Sequence, residues 1–196
     1  MYLGRFAPSP TGHLHLGSLL TAISSYCEAK SNNGKWLVRI EDIDPLREIK
    51  HASSNIIKCL KNSGFEFTTP KYQSSPENQT SYMEKLQQLI DQKDIYYCTC
   101  SRKELSQLRD KEHECRHYNE APQSNFAIKF KTPTKTVSFN DQIQGKIEFK
   151  LSQKDDFVLK RKEGYFSYQL AVVIDDELQK ISNIVCLLYT SPSPRD

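Results

Sequence analysis

Three stretches of this chain bring chemically capable residues close together. In Arg5-Phe6-Ala7-Pro8-Ser9-Pro10-Thr11-Gly12-His13-Leu14-His15-Leu16-Gly17-Ser18, a Pro-rich loop delivers two histidines and a glycine to the start of an apolar-periodic segment. Free N–H groups and the dipole at a helix N-terminus attract phosphate. His13 and His15 can donate hydrogen bonds to phosphate oxygens, and Gly17 lets an anionic ligand approach the backbone. The competing reading of these residues is a capped surface turn with solvated histidines. In Arg39-Ile40-Glu41-Asp42-Ile43-Asp44, three carboxylates follow a strand-like run and suit an ammonium group or a metal-bound nucleotide. Glu41 is assigned the ligand role. Asp44, just before Pro45, is assigned the cap of the next helix.

The third stretch pairs Cys98-Thr99-Cys100 with Cys115-Arg116-His117. Two close ligand pairs separated by a short connection complete a tetrahedron, the geometry of structural zinc. Cys98, Cys100 and Cys115 are three ligands; His117 is the first choice for the fourth, with His113 and Tyr118 as alternatives. Ser101-x-x-Glu104 between the pairs has the form of a capping box that opens a short helix. The other cysteines, Cys27, Cys59 and Cys186, stand among apolar neighbours and are expected to be buried.

The elements that position these residues follow from periodicity. Tyr2 to Phe6 and Trp36 to Ile40 are apolar runs that suit strands. Leu16, Leu19, Leu20, Ile23 and Cys27 recur at helical spacing, as do Ile49, Ile56, Ile57 and Leu60. Asn32-Asn33-Gly34 and Gly64 end these two helices, and Ser75-Pro76-Glu77 opens a third with Tyr82, Leu86, Leu89 and Ile90 on its apolar stripe. Strand, helix, strand, helix predicts a parallel α/β sheet with crossover helices. Glu41 then lies at the carboxyl end of a strand, where open parallel sheets bind ligands. Beyond Tyr96, short runs at 127–130, 136–139, 145–149 and 157–160 predict a β-rich insertion carrying the cysteines. Phe166 to Asp175 is expected to return as a core strand.

The chain has 196 residues, with 37% hydrophobic and 26% charged, and a formal charge of +3. That composition is globular, and the charge surplus is too small to argue nucleic-acid binding by itself. No apolar run reaches the ~18–20 residues of a membrane span, and no signal-peptide pattern follows Met1. A cytoplasmic protein with reduced thiols and no membrane partner is expected. The Ser/Pro-rich composition of 186–196 predicts a non-native tail.

Taken together, the motifs resemble the glutamyl class I aminoacyl-tRNA synthetases. Arg5 to Gly12 with His15-Leu16-Gly17-Ser18 is similar to their HIGH box. Arg39-Ile40-Glu41-Asp42 resembles the following strand, and Phe166-Ser167-Tyr168-Gln169-Leu170-Ala171-Val172-Val173-Ile174-Asp175-Asp176 a later core segment. Gly17-Ser18-Leu19 and Arg39 to Pro45 are closer to the branch that glutamylates queuosine in tRNA(Asp). The resemblance covers residues 1–185. It implies a Rossmann-type catalytic domain in which 1–95 form the first half, 96–165 the zinc-bearing insertion and 166–185 the return, with the C-terminal part of the fold missing.

The resemblance further implies a monomeric, ATP-dependent ligase. Arg5, Phe6, Ala7, Pro8, Ser9, Glu41 and Tyr168 would bind glutamate, and His13, His15 and Gly17 would bind ATP, with His15 and Gly17 as the catalytic positions. Mg²⁺ would accompany ATP, and glutamate would pass to queuosine-bearing tRNA(Asp). Two departures stand out. Cys186 follows Ile184-Val185 where the family has an arginine, and the lysine-bearing KMSKS-type loop does not occur. This chain as written is therefore expected to be inactive. An N-terminal fragment of an ordinary glutamyl-tRNA synthetase and a non-catalytic zinc-binding RNA module are the alternatives.

Overall fold

The structure is a computed structural model, described here for residues 1–108, 113–118, 120–123 and 125–186. The expected tail lies outside the described residues, apart from Cys186. The chain divides into two compact units, Met1–Gln79 with Val173–Asp196, and Thr80–Val172.

In the first unit, β1 (Leu3–Phe6), β2 (Lys35–Ile40) and β3 (Lys71–Tyr72) form a parallel sheet in that order. Leu3 stands opposite Lys35 and Phe6 opposite Val38, while Arg39 pairs with Lys71. The crossovers are α1 (Leu16–Ser31) and α2 (Ala52–Asn62). Phe6, Trp36, Val38 and Ile40 from the strands pack with Ile56 and Leu60 from α2. Trp36 is the hub, with Tyr26, Phe65 and Phe67 around its ring. Beyond the second crossover, the chain returns beside β1, where Ser182 donates its N–H to Leu3 O at 3.0 Å.

Several expectations from the sequence fail here. The buried face of α1 is Ala22, Ser25 and Ala29, not the leucine stripe. Leu16 is 74% exposed, Leu20 and Ile23 are about half exposed, and Cys27 is exposed rather than buried. Small side chains win that face because α1 lies close to Trp36, whose Nε1 donates to Ser25 Oγ at 2.9 Å. Cys59 is half-buried and Cys186 exposed, so neither is the buried residue expected. Asp44 caps no helix either. Its carbonyl accepts from Arg47 in a turn at 3.0 Å, and α2 starts only at Ala52.

The second unit carries an antiparallel sheet of β4 (Ile95–Cys98), β5 (Ala127–Phe130) and β8 (Val158–Lys160). A separate hairpin, β6 (Lys135–Asp141) with β7 (Gly145–Leu151), stacks Phe139 on Phe149. Two further helices are α3 (Pro76–Asp91), with Tyr82 and Leu86 buried, and the short α4 (Arg102–Leu108). Phe166 to Asp175, expected as strand, instead falls largely in the helix α5 (Tyr168–Leu178). Leu170, Ala171, Ile174 and Asp175 are buried at helical spacing, and the Ser167 hydroxyl accepts from Leu170 N at 3.3 Å. The apolar run was too uniform for its period to tell strand from helix.

Candidate active site and metal centre

The loop after β1 and the residue after β2 meet at the carboxyl end of the sheet, where Glu41 donates its N–H to Pro8 O at 3.0 Å. Phe6 and Pro8 are buried, Ala7 is half-buried and Ser9 is exposed. His13 and His15 are exposed at the start of α1. His15 is its N-cap: Nδ1 accepts from Ser18 N at 3.2 Å. The turn is thus a capped one, with Gly17 half-buried behind it. Asp42 is committed elsewhere, accepting from the N–H and hydroxyl of Ser74 at 2.9 and 2.5 Å.

Beneath the loop lies an ion network that sequence reasoning did not assemble. The Arg39 side chain is fully buried, and its Nη1 donates to Asp176 Oδ1 at 2.8 Å and to Gln179 Oε1 at 3.0 Å. Its Nη2 reaches Glu41 Oε1 at 3.5 Å. Asp175, also buried, accepts from Gln73 Nε2 at 2.8 Å. Arg5 faces Asp176 with both Nε and Nη2 at 3.1 Å. The sequence signal was the acidic pair Asp175-Asp176 at the end of an apolar run, but only a helix there turns it toward two arginines. Burial pushes the Glu41 carboxyl up to about 7, against the pull of Arg39 and Arg5. Tyr168, the remaining expected glutamate contact, opens α5 in the second unit and is 48% exposed.

The cysteine cluster forms in the second unit. Cys98 ends β4, and Cys115 is buried in a short 3₁₀ turn, Glu114–His117. The ligand atoms of Cys98, Cys100, His113 and Cys115 all lie within 4.8 Å of one another. His113 Nε2 is 3.6 Å from Cys98 Sγ and 3.5 Å from Cys100 Sγ, and Cys100 Sγ is 3.5 Å from Cys115 Sγ. Metal–ligand bonds of about 2.3 Å to sulfur and 2.0–2.1 Å to nitrogen give tetrahedron edges of roughly 3.5–3.8 Å. The four residues therefore fit a tetrahedral metal ion, and this group can hold one.

His117, the first choice from sequence, is not in the group. It stands two residues beyond Cys115 in the same tight turn and faces solvent, whereas His113 precedes the turn and points inward. Burial holds the His113 ring below the ordinary histidine value, which favours the neutral, ligating form. Burial also raises the Cys98 thiol, and it pushes Cys100 up to about 12 with help from Cys115. Three thiols this close need a cation to ionise together. An open cavity of about 500 Å³ adjoins the cluster, lined by Cys98, Cys100, Lys129, Arg161 and Lys162 among others.

A parallel sheet with crossover helices and a buried arginine–carboxylate network at its carboxyl end defines an α/β domain. The chain belongs to the family of class I tRNA synthetases (E and Q), catalytic domain, whose profile matches residues 3–189. It is 44% identical over 186 residues to a glutamyl-Q tRNA(Asp) synthetase of Shewanella oneidensis, covering 94% of this chain and 62% of that protein. A protein of the same name from Pectobacterium atrosepticum is 44% identical over 187 residues, covering 94% and 57%. Among solved structures, a glutamate tRNA ligase from Elizabethkingia meningosepticum, in complex with its amino acid, matches with a TM-score of 0.72 at 29% identity. That match covers 93% of this chain and 43% of the ligase. The chain thus spans about three-fifths of the length of these curated relatives.

Proposed function

We propose that this domain activates L-glutamate with ATP, and that the whole protein transfers it to the queuosine base of tRNA(Asp). The observation that carries this reading is the buried network at the carboxyl end of the sheet, in which Asp176 holds Arg5 and Arg39 holds Glu41. An arginine fork suits a substrate carboxylate, and a carboxylate suits the α-ammonium. The loop Phe6–Ser9 lines the pocket. His13, His15 and Gly17 meet the ATP phosphates at the start of α1, with Mg²⁺ on the nucleotide. One oxygen of the glutamate α-carboxylate attacks the α-phosphorus, and pyrophosphate leaves. The protein's part in that step is positioning and charge stabilisation. Cys98, Cys100, His113 and Cys115 would hold a zinc ion, whose part would be structural rather than catalytic. The protein works as a monomer in the cytoplasm.

The test is glutamate-dependent ATP–pyrophosphate exchange by the full-length gene product without tRNA. Exchange is expected without tRNA, and a strict tRNA requirement would favour an ordinary glutamyl-tRNA synthetase instead.

A further inference from the structure

We propose that Asp176 is a positioning residue that aims Arg5 at the substrate and sets its spacing from Glu41; this rests on the glutamate-binding reading above. Asp176 Oδ1 and Oδ2 take Arg5 Nε and Nη2, both at 3.1 Å, in a side-on fork. That geometry occupies one edge of the guanidinium. The other edge, Nη1 with the second Nη2 proton, has no protein acceptor among the described residues. Arg5 is nevertheless nearly buried, with 11% of its side chain exposed. A buried guanidinium edge turned away from protein acceptors is suited to a ligand carboxylate.

The same Oδ1 also accepts from Arg39 Nη1 at 2.8 Å, and Arg39 Nη2 reaches Glu41 Oε1. Asp176 and Arg39 therefore link the carboxylate-binding group to the ammonium-binding group through buried charges. Arg39 itself is fully buried and touches no solvent, so its role is to hold its neighbours in place. With Arg5 on β1, Arg39 and Glu41 at the end of β2, and Asp176 on α5, three elements are tied into one geometry before substrate arrives. Binding then avoids the cost of ordering a long arginine side chain. Asp176 makes no contact with substrate in this account; it acts through Arg5.

The experiment is calorimetric titration of the full-length protein and its Asp176→Asn variant with L-glutamate, L-glutamine and glutamate α-amide. The variant should bind L-glutamate about ten- to hundredfold more weakly. For the one amide that lacks the carboxylate held by Arg5, the loss should be much smaller. Equal losses for all three ligands, or no loss for glutamate, would overturn the proposal. Should the variant fail to fold, ligand-free NMR of the wild type decides. The Arg5 Nε–H, assigned by its disappearance in Arg5→Lys, should exchange slowly because Asp176 holds it; fast exchange overturns the link. Wild-type full-length protein that binds no glutamate would instead overturn the functional reading, and the Nε–H signal would still decide whether Asp176 holds Arg5.

Discussion

The hydroxyl of Tyr96 lies 3.1 Å from Nδ1 of His113, with the two rings edge to face. That contact turns Nε2 of the imidazole toward the sulfurs of Cys98 and Cys100. Burial raises the Tyr96 phenol well above its ordinary value, so it stays protonated and neutral. A ligating histidine whose second nitrogen is fixed in this way keeps one tautomer and one orientation.

Replacing Tyr96 by Phe keeps the ring and removes the hydroxyl. Metal affinity, measured by competition with a chromophoric chelator, should fall about ten- to hundredfold. Unchanged affinity would show that His113 needs no partner.

The assignment of the fourth ligand separates two histidines four residues apart. Protein purified without added metal should contain close to one zinc per chain. His113→Ala and Cys100→Ser should each lose it, and His117→Ala and Cys27→Ser should retain it. Loss from His117→Ala with retention in His113→Ala would reverse the assignment.

Glu41 gives a pH prediction with two opposite signs. Its folded pKa of about 7 lies above the ordinary carboxyl value near 4.5, with burial as the cause and Arg39, Arg5 and Asp175 as the charged neighbours. Folded protein therefore holds a proton that the unfolded chain releases. Its contribution to stability is full below about pH 4.5 and is lost as pH rises through 7. Glutamate binding runs the other way, because the ligand ammonium needs the carboxylate. Affinity should be about tenfold lower at pH 6 than at pH 8, and Glu41→Gln should flatten that dependence. A flat wild-type profile would remove Glu41 from the ammonium site.

Gly34 turns the chain into β2 directly beneath Tyr2. A Cβ there would stand 2.6 Å from both Tyr2 Cβ and Tyr2 O, while Lys35 N donates to that same oxygen at 2.9 Å. Backbone and a ring stem cannot yield cheaply. Gly34→Ala should therefore lower unfolding stability by about 1–3 kcal/mol in a urea titration.

Much of this was legible in the residues, and the gaps have physical causes. The parallel order of β1 and β2 followed from strand–helix–strand spacing, and Ala127–Phe130 was readable as a strand to the residue. Local spacing brought Cys98, Cys100 and Cys115 into one cluster, but the choice between His113 and His117 depends on which side of a 3₁₀ turn faces inward. The period failed where apolar residues were either too dense or too exposed. In 166–175 they filled every face, so the helix α5 read as strand. On α1 the leucines lie outside, because the sheet selects alanine and serine for close approach. Asp176 was the hardest to see, since its meaning depends on Arg5 at a separation of 171 positions.

The central claim is tested most directly by transfer of labelled L-glutamate to purified tRNA(Asp) by the full-length gene product with ATP and Mg²⁺. Label should appear on tRNA(Asp) that carries queuosine and be absent from the same tRNA with unmodified guanine at that position. Equal labelling of both, or charging of tRNA(Glu) alone, would contradict the account.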